Sequence, residues 1–343
     1  EETNLLPLLY RFTMDVSTEF LFGESVNSQS SALHAQDSGN TKELQGELDF
    51  SDAMTFAQEH ISWRIRLTAL RYLPLKGFNQ ACKTVKSFAD RFVAIALDPN
   101  HKPPSILPGQ KPKFVLLNEL VAETRDPIEL RDQVLHLLLA GRDTTSALLA
   151  WTLLLLSRYP VEFAALRAAI ISHFGTASAP TAELTFESLK SCKELKNVLF
   201  ETLRLYPLVP LNGRQAVKDT FLPTGGGPDG KQPVAVRKGE VVGYSAYVMQ
   251  RRKDIWGEDA DEFRPGRWEG RKLGWEFIAF SGGPRICLGQ QYALNEASFV
   301  IVKFLQRFDG MEAVDMTGPL KKGLSLTLSP GDGVKVRMHR AAS

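Results

Sequence analysis

The sequence predicts a mainly helical fold with small β-sheets, which is the α+β class. Through the first half of the chain, apolar residues recur at three- and four-residue spacing, as in amphipathic helices. From Leu208 to Arg252 the pattern changes to short β-branched runs separated by Gly and Pro, which is typical of strands and hairpins. The helical segments outnumber the strand segments, so helices are expected to form the core.

Composition excludes several classes of protein. The 343 residues are 43% hydrophobic and 23% charged, as in a packed fold and unlike a disordered chain. Lys and Arg number 41 against 39 Asp and Glu, so the net charge of +2 does not indicate nucleic acid as a partner. Three scattered cysteines do not form a disulfide framework. The longest apolar run, Ala147–Leu156, is shorter than the roughly 18 residues that a membrane span needs.

The first half contains two predicted helices and two irregular segments. Apolar periodicity predicts helices over Leu5–Phe20 and Phe50–Leu73. The polar segment Glu24–Glu47 is predicted to be a surface loop. Five prolines between Asp98 and Pro112 exclude a helix there.

A long helix is predicted over residues 127–159. Asp126 is a suitable N-cap and Pro127 suits the first helical position. The segment is apolar on nearly all sides, so it is expected to be buried. Its midpoint nevertheless carries Gly141-Arg142-Asp143-Thr144-Thr145, and unpaired buried polar groups are costly, which indicates a functional role.

The remaining elements are shorter. Helices are predicted over 161–174, 186–206 and 288–308, strands over 234–236 and 241–247, and a terminal hairpin over 324–336. Gly225–Gly230 formally fits a dinucleotide-binding pattern, but Pro233 and β-type residues follow where a helix would be needed, so a glycine hairpin is expected. The six histidines show no metal-ligand spacing.

The segment with the most specific chemistry is a glycine-rich loop over residues 280–289, before the last predicted helix. A thiolate at Cys287 would gain from the helix dipole, and Arg285 could reach an anionic group on the same ligand. Gly282 and Gly289 would allow the backbone to approach a flat, bulky ligand. A lone cysteine is more often a buried structural residue. The prediction of a ligand site therefore rests on the loop residues together and not on Cys287 alone.

This loop resembles the haem-binding signature of the cytochrome P450 family, the haem-thiolate monooxygenases. Three further segments resemble other motifs of the family and occur in the same order: Ala140–Thr145, Glu201–Arg204 and Phe263–Trp268. The resemblance covers the whole sequence, so one P450 domain over 1–343 is expected. The family's N-terminal part is expected to be missing.

The resemblance implies a haem b cofactor with Cys287 as the axial ligand of the iron. It assigns the haem-binding residues Arg214, Phe280, Gly282, Arg285, Cys287 and Gly289. It also implies that Glu201, Arg204 and Arg267 form a buried triad behind the haem. Without the other motifs, Glu201 and Arg204 would suggest only a solvated surface pair.

Asp143 and Thr144 are the predicted catalytic residues. In the P450 interpretation they deliver protons for oxygen activation in a dry pocket. The structural alternative is a threonine hydroxyl bonded back to the carbonyl four residues earlier, with an aspartate facing water.

Longer segments resemble the fungal alkane and fatty-acid terminal hydroxylases, which implies a long aliphatic substrate. Arg237 and Gln250 depart from that branch, which would have proline and histidine at these positions. The candidate pocket residues are all apolar: Leu137, Ala140, Val209, Leu211 and Leu326.

The resemblance further implies O2 as co-substrate and electrons from an NADPH–cytochrome P450 reductase. It implies the cytosolic face of the endoplasmic reticulum membrane, reached through an N-terminal anchor that is absent from this sequence. Two alternatives stay open: a haem-thiolate isomerase or dehydratase of oxidised lipids, and an inactive truncated product.

Overall fold

The computed structural model describes four ranges of the chain: 2–37, 42–66, 75–98 and 113–341. The end of the helix predicted over Phe50–Leu73 and nearly all of the irregular segment predicted over Asp98–Pro112 lie outside the described residues.

Helices dominate the described residues. They are α1 Leu5–Phe22, α2 Ser28–Asp37, α3 Lys42–Arg66, α4 Phe78–Leu97, α5 Leu116–Glu123, α6 Pro127–Arg158, α7 Pro160–Phe174, α8 Phe186–Ser191, α9 Lys193–Leu205, α10 Ala246–Met249, α11 Lys253–Trp256 and α12 Gln290–Arg307. No helix in this described part is long and apolar enough to cross a membrane.

The strands form small antiparallel sheets. They are β1 Glu2–Asn4, β2 Leu211–Gln215, β3 Thr220–Gly226, β4 Gln232–Val236, β5 Val241–Ser245, β6 Phe308–Ala313, β7 Lys322–Leu324, β8 Leu328–Pro330 and β9 Lys335–Arg340. β1, β9 and β6 make a three-stranded sheet, whereas β2–β5, β3–β4 and β7–β8 are two-stranded. The α+β prediction is confirmed.

The long central helix α6 begins where its sequence signals indicate. The Asp126 carboxylate accepts hydrogen bonds from the backbone N–H groups of Ile128 (2.8 Å) and Glu129 (3.4 Å), and Pro127 occupies the first turn. The helix ends at Arg158, one residue earlier than predicted, because Pro160 begins α7. Every residue from Thr145 to Ser157 is buried.

Two hydrophobic clusters pack around α6. Leu130, Val134 and Leu138 in its N-terminal half pack with side chains of α1, α4 and α5. Its C-terminal half, from Ala147 to Leu156, packs with α7, α9 and α12. The polar residues at the midpoint therefore lie where the two clusters meet.

Two predictions of local structure were wrong. Most of Glu24–Glu47 is helical, in α2 and the start of α3, rather than a surface loop. The single helix predicted over 186–206 is two helices, because Cys192 has an extended backbone (φ −75°, ψ 97°) between them. Cys192 is neither Gly nor Pro, so no local signal marked the break.

Candidate functional site: the cysteine loop and the polar centre of α6

The loop over residues 280–289, hereafter the cysteine loop, requires glycine at two positions. A Cβ atom at Gly282 would lie 2.6 Å from the ring of Trp275, and Gly283 has a φ of +67°, which L-residues rarely adopt. Across this turn the Cys287 N–H donates to the Phe280 carbonyl at 2.9 Å. The backbone therefore turns back on itself and brings Phe280 next to Cys287.

The surroundings of Cys287 fit a flat apolar ligand. The thiol is exposed, and its neighbours Ile286 and Leu288 are 54% and 95% exposed. Together with Cys287 they form an exposed apolar patch, and such patches can mark a ligand-binding surface. Helix α12 begins at Gln290 with Gly289 as its N-cap, two residues later than the predicted start at 288, so Cys287 lies in the loop just before the helix. The donor set, an accessible thiol within an apolar patch, suits haem.

The two predicted partners of haem propionates lie on separate elements. Arg285 is exposed within the cysteine loop. Arg214 lies on β2, where its guanidinium donates to the Asn212 side chain (3.0 Å) and stands 5.9 Å from the ring centre of Tyr244. The Tyr244 hydroxyl is 3.4 Å from the Ser281 hydroxyl, so the β2–β5 sheet contacts the cysteine loop.

Glu201 is fully buried and lies at the centre of a hydrogen-bond network. Arg204 donates to its two carboxylate oxygens at 2.8 and 2.9 Å, and Arg267 donates at 3.2 Å. The Trp268 indole (3.0 Å) and the Arg264 backbone N–H (3.0 Å) also donate to Glu201. The carboxylate thus receives five hydrogen bonds and is 0% exposed. The structure brings the three residues of the predicted triad together.

Two members of this Glu201 network were missed from the sequence. Asp259 accepts from Arg267 at 2.9 Å, and that hydrogen bond holds the pKa of Asp259 below its ordinary value. Gln250, noticed only as a departure from the branch, accepts an Arg204 hydrogen bond on its backbone carbonyl. Both are separated from Glu201 by dozens of residues, and only their place in segments similar to the family could have indicated them.

The polar centre of α6 contains a second buried acid–arginine pair. Arg142 lies 3.5 Å from Asp143 Oδ1 and donates to Gln58 (2.9 Å) and Thr55 (2.8 Å) of α3. Asp143 Oδ1 has no hydrogen-bond partner among the described residues. Burial raises the pKa of Asp143, and the Arg142 charge partly offsets this effect.

The Thr144 hydroxyl donates to the Ala140 carbonyl at 2.6 Å, which is the back-bonded arrangement of the structural alternative. The hydroxyl oxygen keeps its acceptor capacity in this arrangement. A role for Thr144 in proton delivery therefore remains compatible with its position and stays a prediction.

A cavity of about 710 Å³ lies beside Asp143, between α1, α3, α6 and the β7–β8 hairpin. Its lining is about half polar and includes Tyr10, Gln58, Arg142 and Ser325, so it can hold water next to the carboxylate. The five predicted substrate-pocket residues are not part of this lining: Leu137, Ala140, Val209, Leu211 and Leu326. They remain pocket candidates only.

The fold brings one histidine next to two potential metal ligands, which the sequence did not predict. Ligand atoms of His173, Cys192 and Glu194 lie within 4.8 Å of one another. The Cys192 thiol is buried and faces Glu194 at 3.8 Å, and burial raises its pKa. This environment favours the protonated thiol, whereas a metal needs the thiolate. Cys192 packs in the core at the junction of α8 and α9, whereas His173 and Glu194 are exposed, so no metal site is assigned to this cluster.

Comparison with known proteins agrees with this geometry. The family model "Cytochrome P450" matches residues 1–335. The chain is 48% identical over 340 residues to the Fusarium protein cytochrome P450 monooxygenase g430, which covers 98% of the chain and 59% of the relative. It is 46% identical to cytochrome P450 52E1 of Candida apicola (97% and 65% covered) and 44% identical to cytochrome P450 52A13 of Debaryomyces hansenii (98% and 65%).

The chain thus spans about three fifths to two thirds of the length of these curated relatives. The cysteine loop, the Glu201 network and the polar centre of α6 all lie within the residues that the family model matches. On these grounds, the chain belongs to the cytochrome P450 family.

Proposed function

We propose that this chain is the catalytic portion of a haem-thiolate monooxygenase that hydroxylates long-chain alkanes or fatty acids at or near the end of the chain. The observation that carries the proposal is the exposed Cys287 thiol, set in an apolar patch on a glycine turn next to a buried charge network. Membership of the cytochrome P450 family implies haem, O2 and electrons from a reductase.

The residues of the cysteine loop would hold the cofactor. Cys287 would ligate the iron of haem b, Phe280, Gly282 and Gly289 would border the macrocycle, and Arg285 with Arg214 would meet its propionates. When bound, a thiolate-ligated haem supplies oxygen activation. Elsewhere in the chain, Asp143 can hold a proton because burial raises its pKa, and the polar cavity beside it can resupply that proton from water.

The electron donor is proposed to be an NADPH–cytochrome P450 reductase. The motif resemblance and membership of the cytochrome P450 family also support residence on the cytosolic face of the endoplasmic reticulum membrane. The retained Asp143–Thr144 pair favours the monooxygenase over an isomerase or dehydratase of oxidised lipids, because chemistry without O2 activation does not need that pair.

The ligand assignment is tested by the spectrum of the reduced, CO-bound full-length protein. Cys287→Ala is expected to abolish the thiolate-type band. Cys82→Ala and Cys192→Ala are the matched controls and are expected to keep it, since Cys192 is buried in the core and Cys82 lies on α4. Persistence of the band in Cys287→Ala would overturn the assignment, and its absence from the wild type would favour the inactive product.

The substrate class is tested by titration with alkanes and fatty acids of increasing length. An apolar pocket gains about 0.8 kcal/mol per buried CH2 until it is full, so affinity should rise with chain length and then reach a plateau. Product analysis should locate the hydroxyl at or near the chain end. A flat response, or tighter binding of rigid polycyclic compounds, would reject the aliphatic assignment and leave the monooxygenase proposal in place.

A further inference from the structure

Gln250 uses its whole side-chain amide to join two parts of the fold. It is 0% exposed, in the turn after α10. Its Nε2 donates to the carbonyls of Leu203 and Arg204, both at 3.0 Å, at the C-terminal end of α9. Its Oε1 accepts the backbone N–H of Ile278 at 2.9 Å, two residues before the cysteine loop. Both amide hydrogens and the amide oxygen therefore have partners.

The Gln250 backbone belongs to the Glu201 network as well. Its carbonyl accepts from Arg204 Nη1 at 2.9 Å, and its N–H donates to Ala246. The last carbonyls of a helix have no partner within that helix, and Gln250 satisfies two of them on α9. One residue thus contacts α9 through three hydrogen bonds, while its side chain reaches the segment that leads to Cys287.

Backbone hydrogen bonds continue from Ile278 to the cysteine. The Ile278 carbonyl accepts from Ser281 N–H at 2.9 Å, and the Phe280 carbonyl accepts from Cys287 N–H at 2.9 Å. Ser281 has a φ of +62°, an unusual conformation that neighbouring contacts must maintain. These hydrogen bonds connect Ile278 to the turn that carries Cys287.

We propose that Gln250 is a positioning residue: it fixes residues 278–287 against the Glu201 network and thereby sets the orientation of the Cys287 thiol. The part of this inference that concerns haem rests on the proposed function. Glutamine suits the position because a neutral amide offers two donors and an acceptor at once. A neutral histidine offers one of each, so it would leave one α9 carbonyl unpaired. Glutamine in place of the expected histidine therefore keeps the connection between α9 and Ile278.

The experiment compares variants of the full-length protein by two readouts. Hydrogen–deuterium exchange of the Ile278 amide reports the hydrogen bond independently of haem, and the reduced CO spectrum at measured haem content reports thiolate ligation. The variants are Gln250→Leu, Gln250→Asn and Gln250→His. The matched control is Gln306→Leu, because Gln306 is also buried and donates to helix-end carbonyls, those of Phe174 and Gly175, but has no contact with residue 278.

In Gln250→Leu the Ile278 amide should exchange about tenfold faster, and most of the thiolate-type band should convert to a non-thiolate band. Gln250→Asn, one methylene shorter, should lose the Ile278 bond in the same way, which keeps the test decisive if the leucine variant does not fold. Gln250→His should retain most of the protection and of the band. Gln306→Leu should keep both at wild-type values.

Wild-type exchange and spectra in Gln250→Asn would overturn the proposal, and so would an equal loss of the band in Gln306→Leu. If the wild type itself lacked a thiolate-type band, the proposed function would fail, whereas the exchange measurements would still decide whether Gln250 holds residue 278.

Discussion

Two buried acid–arginine centres of this protein differ in how completely their charges are paired. Glu201 receives five hydrogen bonds, from Arg204, Arg267, Trp268 and the backbone of Arg264. Asp143 has only Arg142 nearby, at 3.5 Å, and its Oδ1 has no hydrogen-bond partner among the described residues. Both acids are buried, so exposure to solvent does not explain the difference.

We interpret this as the difference between a structural centre and the proposed reactive one. Both oxygens of the Glu201 carboxylate accept hydrogen bonds, as expected of a structural ion pair. The Asp143 carboxyl is incompletely paired, burial raises its pKa, and it lies beside a cavity that can hold water. Asp143 is therefore the acid that the proposed proton delivery would use.

Removing the negative charge at Glu201 should cause the largest loss of stability among these variants. Glu201→Gln would leave Arg204 and Arg267 buried without a counter-charge from Glu201, so the free energy of unfolding should fall by about 3–5 kcal/mol in urea titrations. As a control, Glu258→Gln removes the exposed partner of Lys253 and should leave the unfolding midpoint unchanged. Similar unfolding midpoints for the two variants would contradict the expected difference in stability between buried and surface ion pairs.

Glu296 on α12 extends the comparison to a buried acid whose two carboxylate oxygens have no hydrogen-bond partner among the described residues. Burial raises its pKa from 4.5 to about 8, and the Thr145 hydroxyl partly offsets this effect. The folded protein therefore binds this proton more tightly than the unfolded chain. Its stabilising contribution should be complete below a pH of 4.5 and should decline as the pH rises from there through about 8, by at most about 1.4 kcal/mol per pH unit.

The measurement is urea unfolding of the wild type and Glu296→Gln between pH 5 and 9. The amide of the variant cannot titrate. The free energy of unfolding of Glu296→Gln should therefore rise relative to that of the wild type as the pH increases from 5 to 9. Parallel pH profiles would show that Glu296 is ionised in the folded protein and would contradict the prediction.

The smallest effect on stability is expected at Thr144. Thr144→Ala removes a hydroxyl that back-bonds to Ala140, so the free energy of unfolding should change by less than about 1 kcal/mol. In the full-length protein, however, the variant should consume NADPH and release peroxide in place of alcohol. Thr144→Ser keeps the hydroxyl and should restore coupling, measured as product formed per NADPH. Unchanged coupling in Thr144→Ala would leave only the structural role.

The elements that could be predicted have strong local signals. Asp126, Pro127 and the following apolar residues marked the beginning of α6, and the glycines around Cys287 marked the loop. The break at Cys192 could not be predicted, since no Gly or Pro marks it. Residues 28–37 were assigned to a loop because their polar composition suggested one, yet α2 forms there and contacts α1 and α3.

The sequence by itself determined the family, the identity of the candidate iron ligand Cys287, and the pairing of Glu201 with Arg204, because these depend on short, fixed spacings along the chain. Tertiary structure alone decided which carbonyls Gln250 reaches, and which acids are buried with or without a partner. Such contacts join residues that are far apart in the sequence. Desolvation and hydrogen bonding, which set the pKa of a group and the orientation of a thiol, exist only after those residues have packed together.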